Sequence, residues 1–172
     1  ASLARRTASM TLAFAPGVKR QARVQLEMGG KNPLVVMDDA DLDRAVQIAL
    51  DGSFFATGQR CTASSRLIVQ DGIHDKFVAA LAEKVKALRV GDALDPETQM
   101  GPAVSEDQME NSYRYIEVAR GDGGRIVTGG DRMQLEKPGW YVQPTLIADT
   151  AADMRINQEE VFGPVASTIR VK

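Results

Sequence analysis

Asn32-Pro33-Leu34-Val35-Val36-Met37 runs straight into Asp38-Asp39-Ala40-Asp41, and then into Leu42, Ala45, Val46, Ala49 and Leu50. The first six residues are a short apolar run rich in branched side chains, the composition of a buried strand. The acids that follow offer oxygens and negative charge to the unpaired N–H groups of a helix start. The five apolar residues after them share one helical face, and Phe54 and Phe55 extend it before Gly58 stops the helix. A strand delivering the chain directly into an amphipathic helix is half of a βαβ unit.

Working outward, the same alternation continues. Ser65–Gln70 reads as a second strand, and Ile73–Val90 as a helix with Phe77, Leu81, Val85 and Leu88 as its stripe. His74 stands at the start of that helix and reads as a surface or capping residue. A loop rich in Gly, Asp and Pro covers Gly91–Val104. Ser105-Glu106-Asp107-Gln108 then has capping-box spacing and opens a third helix toward Arg120. Gly121–Gly124 end it, Arg125–Thr128 form a strand, and Gly129-Gly130 turn the chain. Tyr141–Ile147 and Val165–Val171 read as further strands, with a short turn or helical piece over Met154–Val161. The expected fold is therefore α/β, a mostly parallel sheet flanked by helices. The glycine clusters are turns, because neither Gly-x-Gly-x-x-Gly nor Gly-x-x-x-x-Gly-Lys-Ser/Thr falls at a strand-to-helix junction.

Composition bounds the function. The chain has 172 residues, 44% hydrophobic and 26% charged, with 21 basic against 23 acidic residues and a net charge of −2. Such balance gives no electrostatic reason to expect a nucleic acid or an anionic membrane as partner. No apolar run approaches the roughly 18 residues of a membrane span. The opening Arg5-Arg6 and the Thr- and Ser-broken run to Pro16 only faintly mimic a signal peptide. Arg5, Arg6, Lys19, Arg20 and Arg23 read as a solvated or inter-domain face. One cysteine and one histidine exclude an internal disulfide and the usual zinc sites, so no metal is expected. The expected location is cytoplasmic.

Three segments carry the chemistry: Leu26-Glu27-Met28-Gly29-Gly30-Lys31-Asn32-Pro33, Gly58-Gln59-Arg60-Cys61-Thr62 and Glu159-Glu160-Val161-Phe162-Gly163-Pro164. Singly, each has a plain structural reading: a turn with a solvated carboxylate, a small buried thiol, a loop. Cys61, however, follows a helix and precedes a strand, so it rides on a loop mounted on two rigid elements. Arg60 beside it supplies positive charge that favours a thiolate.

Taken together, in this order and spacing, the segments resemble the aldehyde dehydrogenase superfamily. That family places a glutamate in a Leu-Glu-(Leu or Met)-Gly-Gly-Lys segment and its catalytic cysteine about 34 residues on, and Cys61 follows Glu27 by 34. Its Glu-Glu-(Val or Ile)-Phe-Gly-Pro segment comes about a hundred residues later, as Glu159–Pro164 do here. Asp38–Asp43 and Met100-Gly101-Pro102 look like family connecting segments. The resemblance covers residues 24–172, a catalytic domain truncated at both ends, while residues 1–23 match poorly.

The resemblance implies roles. Cys61 is the nucleophile that adds to an aldehyde, and Glu27 is the base that activates water to hydrolyse the resulting thioester, a role that burial of the carboxylate would favour. Glu160 holds the nicotinamide ribose, Phe162 packs near the nicotinamide, and Gly29 and Gly30 allow close approach for want of a Cβ. The cofactor is NAD or NADP, and the partner is a small-molecule aldehyde. The Gln59–Arg66 stretch resembles members acting on carboxylate-bearing semialdehydes such as 2-oxoglutarate semialdehyde, with Arg60 and Thr62 as substrate-binding residues and Arg60 as a fork for the carboxylate. Arg66 reads as structural. The cofactor domain and the oligomerisation strands are expected outside these residues, in a homo-oligomeric parent (dimer or tetramer), leaving the 172-residue piece with little turnover. Two other readings stand beside this one. A cysteine hydrolase would need a histidine near the sulfur, for which His74 is badly placed. A catalytically inactive fragment would serve only as a folded or subunit-association domain.

Overall fold

A computed structural model describes residues 27–172 of the chain. The basic N-terminal residues, and the segment expected to match the family poorly, lie outside the described residues. The chain divides into two compact units, residues 1–30 and 31–172. In the first, Glu27, Met28 and Gly29 are exposed, and Gly29 takes a left-handed φ of 75° that suits glycine.

The second unit is a five-stranded sheet with helices on both faces. The strands are β1 (Asn32–Val36), β2 (Ser64–Gln70), β3 (Arg125–Thr128), β4 (Thr145–Ala148) and β5 (Val165–Val171). They lie in the order β1-β2-β5-β4-β3. β1, β2, β5 and β4 are mutually parallel, and β3 joins β4 antiparallel. This is the mostly parallel α/β sheet expected from the alternation. The helices are α1 (Leu42–Phe54), α2 (Asp71–Lys86), α3 (Glu106–Gly121) and the single turn α4 (Arg155–Gln158). The first helix starts as its acids require, with Asp41 Oδ1 accepting from Arg44 N at 2.9 Å.

Successive side chains of β4 point to opposite faces, and they divide the interior into two cores. Leu146 and Ala148 pack with Phe54, Leu67, Phe77 and Leu81 under α1 and α2. Ile147 packs with Tyr115, Ile116 and Ala119 under α3. Among the described residues, no helix is long and apolar enough to cross a membrane.

At three places along the elements the structure departs from the expected bounds or exposure. The strand expected over Tyr141–Ile147 begins only at Thr145, because Pro144 has no N–H to give a ladder, and Val142 makes an isolated bridge with Arg132. The helix expected to reach Val90 ends at Lys86, and Val90 pairs instead with Met100 across the following loop. His74 is not a surface residue. It is 1% exposed, since it precedes Phe77 and Val78 by three and four positions and so lies on the buried stripe. Its Nδ1 lies 3.1 Å from Asp75 Oδ1, and its Nε2 is buried without a partner.

Candidate active site

After α1 the chain does not run smoothly into β2. Phe55–Gly58 form a 3-10 turn in which Ala56 and Thr57 take left-handed φ values of 54° and 58°, and Gly58 follows at 63°. The kink throws Gln59–Ala63 outward, with Ala63 N closing a turn on Arg60 O at 3.0 Å. Cys61 sits on that turn and is exposed. Its surroundings tie down the backbone while the residue itself stays exposed. Asn32 Nδ2 donates to Cys61 O. Gln59 Oε1 accepts from Val104 N at 3.0 Å, and Thr57 Oγ1 donates to Gly101 O at 3.1 Å. The Gly101–Val104 segment thus acts as a strut for the cysteine loop.

Arg60 is engaged differently from what the sequence suggested. Its Nη2 donates to Asp51 O and Gly52 O, at 2.9 Å each, and its Nε is buried without a partner. The guanidinium closes the carbonyl end of α1, where orphan acceptors need donors. The expected carboxylate fork is replaced by a brace between the helix and the cysteine loop. Arg66 is structural as expected, its Nε and Nη2 donating to Lys31 O at 3.0 and 2.7 Å.

The second loop, Glu159–Pro164, links α4 to β5. Glu159 is held by Arg155 Nη2 at 3.0 Å and by Tyr115 OH at 2.6 Å. Those bonds, Arg155's first, hold its carboxyl below the usual carboxylate range, while burial foremost raises the Tyr115 phenol. Phe162 takes a left-handed φ of 58° and is 38% exposed. Its carbonyl and that of Val161 receive side-chain donors from α3. The two loops meet backbone to backbone: a Cβ built on Gly58 would lie 2.3 Å from Gly163 O.

Lys31 is a residue the sequence reading passed over, although it stands inside one of the three quoted segments. Its Nζ is buried with no hydrogen-bond partner. Burial, then the nearby Arg66 charge, bring its pKa down to about 8, against a counter-pull from Glu160. Lys31 therefore senses both the β1–β2 edge that carries Arg66 and the loop that carries Glu160. The structure brings Cys61, Arg60 and Thr62 onto one loop and sets that loop against Glu159–Pro164. Glu27, Gly29 and Gly30 belong to the first unit, residues 1–30.

The profile of the "Aldehyde dehydrogenase family" matches residues 7–172. The chain belongs to the aldehyde dehydrogenase family. It is 50% identical over 157 residues to a betaine aldehyde dehydrogenase of Cereibacter sphaeroides, covering 91% of this chain and 32% of that protein. It is 44% identical over 154 residues to an alpha-ketoglutaric semialdehyde dehydrogenase of Bacillus subtilis, covering 88% and 32%. Its fold is similar to a solved betaine aldehyde dehydrogenase of Staphylococcus aureus in complex with NAD+. The TM-score is 0.89 at 39% identity, over 97% of this chain and 33% of that one. The chain therefore spans about a third of the length of the relatives it matches.

Proposed function

We propose that this chain is the thiol-bearing part of an aldehyde dehydrogenase that oxidises an aldehyde to its carboxylic acid with NAD or NADP as hydride acceptor. The observation that carries the reading is the setting of Cys61. A structural cysteine is packed away as a small hydrophobe, whereas a nucleophile must be reached by its substrate. Cys61 is exposed while its own carbonyl and the side chains just before it are tied to β1, α1 and the Gly101–Val104 segment. Fixing the backbone around an accessible reacting atom is the geometry that orientation catalysis needs.

The residues present fit the nicotinamide end of a dinucleotide. Phe162 presents an exposed ring from a strained turn, and Glu160 beside it offers acceptors for ribose hydroxyls. The buried, unpartnered Lys31 Nζ lies within reach of the Glu160 charge, which pulls the lysine's pKa back upward. Gly29 and Gly30 would present backbone with no Cβ in the way. In the proposed sequence of steps the Cys61 thiolate adds to the aldehyde carbon, giving a tetrahedral thiohemiacetal whose oxyanion draws on N–H donors. The bound nicotinamide supplies a hydride acceptor, and a thioester is left on Cys61. Glu27, exposed in the first unit, takes a proton from the water that hydrolyses the thioester. Thr62, exposed beside the sulfur, lines the approach of the aldehyde. Because Arg60 Nη2 already donates to two backbone carbonyls, the substrate class proposed is an aldehyde, with no carboxylate fork drawn from that residue.

The test uses the full-length protein that carries these residues. Aldehyde-dependent NAD(P)H formation is followed by absorbance in wild type, Cys61→Ala and Glu27→Gln. The expected result is no activity in Cys61→Ala. Glu27→Gln should keep the first burst of NAD(P)H while steady turnover falls by about 10²–10⁴-fold, the usual worth of a general base. Undiminished turnover in Cys61→Ala would overturn the reading.

A further inference from the structure

The capping box expected at Ser105-Glu106-Asp107-Gln108 forms on one side only. Ser105 Oγ accepts from Gln108 N at 3.3 Å, as an N-cap should. In a closed box the side chain of the fourth residue turns back to the cap. Here Gln108 reaches across the fold instead. Its Nε2 donates to Val161 O at 3.0 Å and to Phe162 O at 2.8 Å, more than fifty residues along the chain. Less than one helical turn on, Asn111 Nδ2 donates to the same Val161 O at 2.9 Å.

The amide orientations are not arbitrary. Arg114 Nη2 donates to Asn111 Oδ1 at 2.5 Å, which leaves the Nδ2 end to face Val161. Both targets are carbonyls, so only the NH₂ ends of Gln108 and Asn111 can bond to them. The carbonyls belong to the two residues around the left-handed bend at Phe162, a conformation that a residue with a side chain adopts only when its surroundings hold it there. Beyond the bend the loop has no slack, because Gly163 lies against Gly58 of the cysteine loop on one side and against Ser112 of α3 itself on the other.

We propose that Gln108 and Asn111 are positioning residues for cofactor use: from one face of α3 they clamp the Val161 and Phe162 carbonyls, hold the Phe162 bend, and so aim the Glu160 and Phe162 side chains. The inference rests on the reading of Glu160 and Phe162 as cofactor-facing. A helix placed only to cover the sheet would have no need of aligned amide donors to this loop. The clamp also explains why an N3 glutamine gives up the reciprocal half of its own capping box.

The test is steady-state kinetics of the full-length protein in Gln108→Glu, Gln108→Met and Asn111→Leu, with Glu160→Gln and Phe162→Ala in parallel. Gln108→Glu keeps the shape and adds a charge that a helix N-terminus favours, but it removes the donor. It therefore separates positioning from helix stability. Loss of a clamp bond should raise KM for NAD(P)+ by about tenfold per variant, the factor equivalent to about 1.4 kcal/mol. KM for the aldehyde and the rate of Cys61 alkylation by iodoacetamide should stay within about twofold, since the cysteine loop keeps its own ties. An unchanged KM for NAD(P)+ in both Gln108→Glu and Asn111→Leu, with Glu160→Gln and Phe162→Ala impaired, overturns the clamp alone. An unchanged KM in Glu160→Gln and Phe162→Ala overturns the cofactor reading of the loop, and the clamp with it.

Discussion

Cys61 and Phe162 both ride on short loops between a helix and a strand, and the two loops touch, yet they are fastened by different atoms. The cysteine loop is held largely by its own side chains: Thr57, Gln59 and Arg60 each reach a backbone partner elsewhere. Past Glu159, whose own carboxylate is bound by Arg155 and Tyr115, the Glu159–Pro164 loop is held by the side chains of a neighbouring helix acting on its carbonyls. The first arrangement uses up every polar side chain before the sulfur and leaves the thiol accessible. The second uses none of the loop's own side chains at Val161 and Phe162, and the Phe162 ring stays at the surface. A loop that offers one reacting atom can be tied by its flanks; a loop that offers two adjacent side chains has to be tied from behind.

The seam between the loops is where the comparison breaks most easily. Gly58 has a φ of +63°, and a Cβ there would lie 2.3 Å from Gly163 O, which is backbone and cannot swing aside. Gly58→Ala therefore combines conformational strain with a steric clash and should destabilise the chain by at least about 3 kcal/mol. Urea unfolding of the purified chain measures this, and a cost below about 1 kcal/mol would mean that the loops are not in rigid contact.

Lys31 tests whether the sheet edge that carries Arg66 and the Glu159–Pro164 loop communicate through charge. Its folded pKa of about 8 lies below its ordinary value of 10.5, so the unfolded chain binds the extra proton between these values. Stability should accordingly rise with pH from about 8 to about 10.5, and the burial penalty should be fully present below pH 8. Lys31→Met keeps the length and removes the buried ammonium. It should stabilise the chain at pH 7 by about 2 kcal/mol, with an upper bound of about 3.5 at about 1.4 kcal/mol per pKa unit, and should flatten the pH dependence above 8. A melting-temperature series in pH checks both. An unchanged slope would remove Lys31 from the link between β1 and Glu160.

Gly163 lends the seam only its carbonyl, and its own Cβ position faces α3. A Cβ there would meet Ser112 Oγ at 2.2 Å, but that oxygen belongs to a side chain, and Ser112 Cβ lies farther away at 3.3 Å. Gly163→Ala should cost about 1–2 kcal/mol, and Gly163→Ala with Ser112→Ala should recover most of that loss, a coupling that a double-mutant cycle in urea reads directly. Additive effects would place the strain elsewhere.

The fold was legible because βα alternation leaves period-2 and period-3.6 patterns in local sequence. The strand at Asn32, the cap at Asp41 and the stripe of α1 follow from neighbours along the chain. What was not legible depended on partners distant in sequence. Arg60 looked like a substrate fork because nothing nearby in sequence competes for it, whereas the fold turns it onto the carbonyls of Asp51 and Gly52. His74 looked like a helix-start residue, though its spacing to Phe77 and Val78 was a signal that it faces inward. Gln108 fitted a local motif, and a tertiary partner claimed its side chain. At the site, the three segments were readable as a set through the family resemblance, but the residues that fix them, Asn32, Gln108 and Asn111, carry no motif of their own for these contacts.

Asn32 offers the finest test of the difference between the loops. It is the first residue of β1, and its pairing with Ser64 is followed by a register shift before Pro33 pairs with Arg66. That irregularity lies beside the place where Nδ2 donates to Cys61 O, at the far side of β2's entry. If the cysteine loop is held mainly by its own side chains, removing this one outside tether should loosen the turn without collapsing it. Asn32→Leu, close in size and without a donor, should cost about 1 kcal/mol, the usual net worth of one hydrogen bond. Alkylation of Cys61 should change by no more than a few-fold, because Gln59 and Arg60 remain in place. Asn32→Asp is the sharper variant: it keeps the size but sets a carboxylate against the Cys61 carbonyl, so it should lower stability more than the leucine does. If instead either variant abolished alkylation or unfolded the chain, the cysteine loop too would depend on a hold from outside, and the contrast with Glu159–Pro164 would vanish.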